Sequence, residues 1–106
     1  MSQERLTNSR YFVDLGRLTM EENHEPAERM TFTVVTGGGM MPDGYVPMVA
    51  TTAVEIRPDV FRTSWEEESE AGITHLEDSE RGEVHSRITL RDGTPLALNG
   101  TIKPLD

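Results

Sequence analysis

The residues of this chain with the widest chemical reach are its single tryptophan, Trp65, and its three histidines, His24, His75 and His85. Counted along extended segments, Trp65, His75, His85 and Arg87 all fall on odd positions of successive strands. If the turns between them keep an even register, the four side chains project from one face. A flat indole with imidazoles beside it is the make-up of a small-molecule pocket. The commoner setting for such residues is plainer: a core aromatic, and histidines that face solvent or make a local hydrogen bond.

Glu55 and Arg87 are charged residues within β-branched runs. Facing inward, they must be paired or hold a polar ligand group, and an inward Glu55 would have its pKa raised enough to serve as an acid or base. Facing outward, the commoner arrangement, they are solvated charges. The catalytic candidates are therefore Glu55, Arg87 and His75. The ligand-binding candidates are Trp65, Glu55, His75, His85, Arg87 and Tyr45. A metal centre would require a further ligand at short spacing, such as Glu77 or Glu55, and no His-x-His or His-Glu-x-x-His pattern is present, so the expectation is no metal and no cofactor.

Two other stretches invite a chemical reading. Gly37-Gly38-Gly39 lacks the Gly-Lys-Ser/Thr ending of a phosphate loop and reads as a flexible connection. With Met40, Met41, Tyr45 and Met48 it makes either an adaptable apolar lid or a simple hairpin tip. The run Glu66-Glu67-Glu68-Ser69-Glu70 has no calcium-loop spacing and reads as a solvated turn that discourages edge pairing.

The elements that position these residues are legible as strands, because β-branched residues cluster in short segments separated by Gly, Pro and Asp. Strands are expected over Met30–Thr36, Met48–Ile56, Val60–Glu67, Gly72–Glu77, Glu83–Leu90 and Leu96–Ile102, giving an antiparallel meander of at least six. Turns fall at Pro58-Asp59, near Glu68–Ala71, near Ser79–Arg81 and at Asp92-Gly93, the last suiting a type I′ hairpin. In the last two strands the even positions Val84, Ile88, Leu90, Leu96, Leu98 and Ile102 are apolar and the odd positions polar, so one face is core. The earlier strands mix their faces, as expected of a sheet that curls around an interior. Residues 1–28 are polar around one apolar patch, Tyr11-Phe12-Val13, and read as a flexible segment with a short helix or first strand. Residues 29–106 form the β domain.

At 106 residues a single core is the default. Apolar content of 35% implies a thin core, which a homodimer interface or an ordered ligand would help to stabilise. Nineteen acidic against ten basic residues give a charge of −9, which argues against nucleic acid and anionic membranes as partners. The absence of cysteine, of an apolar leader and of a long apolar run fits a cytoplasmic protein.

The segments Ala53-Val54-Glu55-Ile56-Arg57-Pro58-Asp59-Val60-Phe61, Ser64-Trp65-Glu66-Glu67, Thr74-His75-Leu76-Glu77-Asp78 and Gly82-Glu83-Val84-His85-Ser86-Arg87-Ile88-Thr89, followed by Asp92-Gly93 and Asn99-Gly100-Thr101, resemble the MoaF-like family over about residues 48–103. The resemblance implies an up-and-down, lipocalin-like (calycin-type) barrel closed around a pocket for a small, mostly apolar ligand. A barrel of this type hosts carriers, sensors and enzymes alike. With no nucleophile set beside a base, small-molecule binding is the leading expectation. A cofactor-independent enzyme of isomerase, cyclase or decarboxylase type in the same pocket comes second. A structural or dimerisation protein with a filled barrel comes third.

Overall fold

In the computed structural model, which describes residues 9–25, 28–39, 41–67 and 70–105, the described chain is all strand and turn, with no helix. Its nine strands are β1 (Arg10–Asp14), β2 (Thr19–Glu25), β3 (Arg29–Thr36), β4 (Met48–Ala50), β5 (Thr52–Arg57), β6 (Val60–Glu66), β7 (Gly72–Asp78), β8 (Glu83–Thr89) and β9 (Pro95–Pro104). All neighbours pair antiparallel, in the order β4-β3-β2-β1-β9-β8-β7-β6-β5. The two ends of that order are halves of one extended run. Met48–Arg57 pairs with β3 through its first half and with β6 through its second, so the sheet curls into a nearly closed up-and-down barrel, as the period-2 pattern implied.

This change of partner explains why the single strand expected over Met48–Ile56 is split. Thr51, at the break, is buried, and its N–H donates to the Glu28 carbonyl at 2.8 Å instead of joining a ladder. The boundary drawn at residue 28 has no counterpart in the sheet. The polar segment before it contributes β1 and β2, which lie between β3 and β9 in the strand order.

Alternation sets the inner face. Val13, Met20, Met30, Phe32, Val34, Trp65, Ile73, Val84, Ile88 and Ile102 are all buried and form one cluster. Of the even-numbered apolar set, Val84, Ile88 and Ile102 are buried, Leu96 and Leu98 are half-buried, and Leu90, one residue past β8, is 38% exposed. The barrel is tightest where β9 crosses β1: a Cβ at Gly100 would lie 1.8 Å from the Asp14 carbonyl oxygen, so only glycine fits.

Loop length fixes which residues of neighbouring strands share a face. The β6–β7 and β8–β9 connections keep parity, pairing Glu66 with Gly72 and Thr89 with Pro95. The β7–β8 connection does not, because Asp78 stays in the ladder opposite Glu83 and accepts a hydrogen bond from the Arg81 N–H at 3.0 Å. His75 therefore faces Ser86 across the strands, with neither His85 nor Arg87 opposite it. The Asp92-Gly93 turn also departs from type I′: only Gly93 has positive φ, at 89°, and its N–H returns to the Leu90 carbonyl. That is a type I turn closed by a left-handed glycine.

Candidate functional site

Inside the barrel, β2 and β7 face each other with an unusual set of side chains. On β2 the inward positions are Met20, Glu22 and His24, and on β7 they are Ile73, His75 and Glu77. Glu22 is fully buried, His75 is 1% exposed and Glu77 is 3% exposed. The His75 Nδ1 lies 3.0 Å from Glu77 Oε2 and 3.2 Å from Glu22 Oε2. The other Glu22 oxygen, Oε1, lies 3.4 Å from His24 Nε2. One imidazole is thus bracketed by two carboxylates, and a second imidazole flanks the cluster.

The charges follow from this geometry. Burial alone would raise the Glu22 carboxyl, but the facing His24 and His75 outweigh it and hold Glu22 far below the usual carboxylate range. Burial would likewise lower His75, yet Glu22 and Glu77 push it up to about 9. Glu77 moves the opposite way from Glu22: burial first, and then the Glu22 charge, raise it to about 7 against the pull of His75. His24 is raised because Glu22 outweighs its burial. Two carboxyls a short distance apart are therefore driven to opposite proton affinities, as in sites that separate an acid from a base.

The cluster is not self-satisfied. Among the described residues, both Glu22 oxygens, Glu77 Oε1, His24 Nε2 and the hydroxyls of Thr63 and Ser86 are buried side-chain polar atoms without a hydrogen-bond partner. Thr63 and Ser86 are the residues directly opposite His75 on β6 and β8, so the orphaned hydroxyls surround the same imidazole. The Glu22 oxygens and His24 Nε2 still meet as ion pairs, whereas Glu77 Oε1 and the two hydroxyls cost about 1–3 kcal/mol each when nothing meets them, and natural cores keep few such atoms.

An aromatic wall adjoins the cluster. The Trp65 ring stands edge-on to His75 at 4.8 Å between centroids and tilted against Phe32 at 5.8 Å. Its Nε1–H donates to Glu67 Oε2 at 2.6 Å. Glu67 is buried, so this member of the acidic run orients the indole and does not face solvent; Glu68 and Ser69 lie outside the described residues. Tyr45, on the loop after β3, packs edge-on against Phe32 at 6.4 Å and anchors that loop to the core, and Met41 packs there too. Met40 of the same loop is outside the described residues, and Met48 is 60% exposed.

The residues singled out from the sequence thus divide between two faces. Trp65 and His75 point into the barrel, and half-buried Glu55 sits opposite Phe61 on that inner face. His85 and Arg87 point outward, where with Arg62, Thr74 and Leu76 they line a shallow groove of about 410 Å³. There the His85 ring Nδ1 meets Asn99 Oδ1 at 2.8 Å. The shared face expected for all four odd-numbered residues fails for one reason, the parity change at the β7–β8 turn. Arg87 cannot reach a ligand held beside Trp65. Glu22 and His24 were missed because Thr19-Met20-Glu21-Glu22-Asn23-His24-Glu25 offers one apolar residue in seven and no strand signal. The alternation Met20-x-Glu22-x-His24 was the available clue. His75-Leu76-Glu77, two apart on one strand, was the clue to the other half of the cluster.

The MoaF-like family model matches residues 7–103. No curated protein matches the sequence. Among solved structures, the chain resembles a Burkholderia vietnamiensis protein described as a putative beta-lactamase, with 18% identity and a TM-score of 0.85 over 94% of this chain and 95% of that one. At that identity the likeness is one of fold.

Proposed function

The chain belongs to the MoaF-like family, and from that premise we propose that its barrel binds a small amphipathic molecule whose polar end completes the Glu22–His24–His75–Glu77 cluster. The observation that carries this reading is the set of buried, unpartnered polar atoms on the inner face. Three of them are carboxylate oxygens, so what completes them is a hydrogen-bond donor, such as a hydroxyl or an amine, or a cation. Trp65, Phe32 and Tyr45 supply an aromatic surface for the apolar body of the same molecule. An anionic head group is disfavoured, because the cationic Arg62 and Arg87 lie on the outer wall.

Native mass spectrometry of the freshly purified protein tests this. The expected result is a retained organic mass on the wild type that is absent from Glu22→Met/His75→Leu/Glu77→Met. Trp65→Phe, which keeps much of the packing, is expected to release the molecule more readily, at a stability cost of about 1–3 kcal/mol because Glu67 loses the indole N–H. Equal retention by the triple variant would place the molecule elsewhere.

A second reading, acid–base catalysis, is favoured by the two buried carboxylates that bracket one imidazole. The description of the Burkholderia protein suggests amide hydrolysis as one such reaction. A serine–lysine pair is not available for it here: Lys103 is the only lysine, and Gly100 occupies the position three residues before it. Turnover of a chromogenic cephalosporin that disappears in Glu77→Gln would move the protein to this class.

A further inference from the structure

We propose that Glu22, His75 and Glu77 form a binding site for one divalent transition-metal ion of the zinc type, with His24 beside Glu22 outside the ligand set. The inference deepens the reading of this cluster as a site that something must complete, and it names the completing group. One donor atom from each of the three residues lies within 4.8 Å of the other two. Around a tetrahedral ion with bonds of about 2.0–2.2 Å, neighbouring ligand atoms are roughly 3.3–3.6 Å apart. The separations of 3.0 and 3.2 Å from His75 Nδ1 to the two carboxylates need to open by only a few tenths of an ångström.

A second observation is independent of that spacing. The His24 side chain is 5% exposed, and its Nε2 lies 3.4 Å from Glu22 Oε1 without the alignment of a hydrogen bond. Glu77 Oε1 has no partner among the described residues, and the two Glu22 oxygens are met only by the imidazoles of His75 and His24. A cation between the three donors meets Glu22 and Glu77 at once, whereas a single proton on His75 meets one carboxylate at a time.

Charge and donor type narrow the ion. Once the ion displaces the protons of His75 and Glu77, two carboxylates with neutral imidazoles present a charge of −2, which a divalent ion balances inside a low-dielectric barrel. The donors are oxygen and imidazole nitrogen in a chain without cysteine, a set that suits zinc, ferrous or manganous ions and not cuprous copper. Mg²⁺ dehydrates reluctantly and keeps several waters, for which a cluster this deeply buried is a poor host. With three protein ligands and His24 outside the ligand set, one position of a tetrahedral ion remains for the hydroxyl or amine of a bound molecule, as in zinc sites that keep an open position.

The test is Zn²⁺ binding by the full chain, stripped with a chelator, reloaded, passed through gel filtration and assayed for metal. The expected result is one equivalent of zinc, with affinity lower by at least about 100-fold in Glu22→Gln and in Glu77→Gln. The exposed controls Glu66→Gln and Glu83→Gln should match the wild type. One equivalent retained at unchanged affinity in both cluster variants, or zinc bound no more tightly than Mg²⁺, overturns the proposal. If those variants do not fold, X-ray absorption of the zinc-loaded wild type decides: a shell with one or two imidazoles supports the site, and a shell without imidazole refutes it. Zinc failure with an organic mass still retained in native mass spectrometry sinks the metal alone. Loss of that mass with zinc still bound sinks only the organic ligand.

Discussion

Replacing His75 with leucine removes the one group that stands between two buried carboxyls. Its Nδ1 is 3.0 Å from Glu77 and 3.2 Å from Glu22, and all three side chains are within 3% of complete burial. At pH 8 the leucine variant must either leave carboxylates facing each other in a low dielectric or protonate them against the solution. Uncompensated buried charge of this kind costs about 3–5 kcal/mol, a large share of the roughly 5–15 kcal/mol that holds a domain folded. For a domain near this size that is a fall in Tm of at least about 12 °C. At pH 5 the carboxyls take up protons more easily, so the loss should shrink to about half. The triple variant Glu22→Met/His75→Leu/Glu77→Met removes the charges while roughly conserving volume, and it is expected to exceed the wild type by about 1–4 kcal/mol. Urea denaturation followed by Trp65 fluorescence, with chelator present at pH 5 and pH 8, measures all three. An equal loss for His75→Leu at both pH values, or a triple variant less stable than the single one, would refute the electrostatic reasoning.

Three further outcomes follow from the same structure. Folded His75 at about 9 and Glu77 at about 7 both lie above their ordinary values of 6.5 and 4.5, so the stability they contribute is present at low pH and is lost as pH rises, through about 7 for Glu77 and about 9 for His75. Glu22, held low, contributes above about pH 4.5 and loses that contribution in acid. For His75, the gap from 6.5 to about 9, at about 1.4 kcal/mol per pH unit, is worth about 3 kcal/mol. The urea midpoint of the metal-free protein should therefore peak near pH 5 and decline to pH 9.5; a flat profile contradicts this. Gly100→Ala, which drives a methyl into the Asp14 carbonyl, should cost about 1–3 kcal/mol by denaturant titration, and a neutral effect would mean that β1 and β9 separate freely. Added salt should raise Tm, because a net charge of −9 on a small body repels itself, whereas no rise between low and moderate salt would show local compensation.

The strands from Arg29 onward were legible because each carries β-branched residues at period 2 between Gly, Pro and Asp turns. The same rule failed for β2, where two of the three inward positions are Glu22 and His24: the residues that make the interior chemically interesting erase the apolar signal that would have marked it as strand. Face assignment failed at one point, the count of residues in the β7–β8 loop. Asp78-Ser79-Glu80-Arg81-Gly82 marks a turn, but whether Asp78 belongs to the loop or the ladder depends on its hydrogen bond to the Arg81 N–H, which appears only in three dimensions. That one residue separates His75, inside, from Arg87, outside. The pairing of Glu22 with His75 was beyond reach for a further reason. It crosses the barrel between strands that are not neighbours in the sheet, and no local pattern encodes such a contact.

The central claim, that the inner polar cluster is completed by something other than the chain itself, is tested most directly by a high-resolution crystal structure of the protein as purified. Density that ordered water does not explain is expected within bonding distance of Glu22, His75 and Glu77. A cluster whose side chains have turned to satisfy one another, with only water beside them, would contradict it.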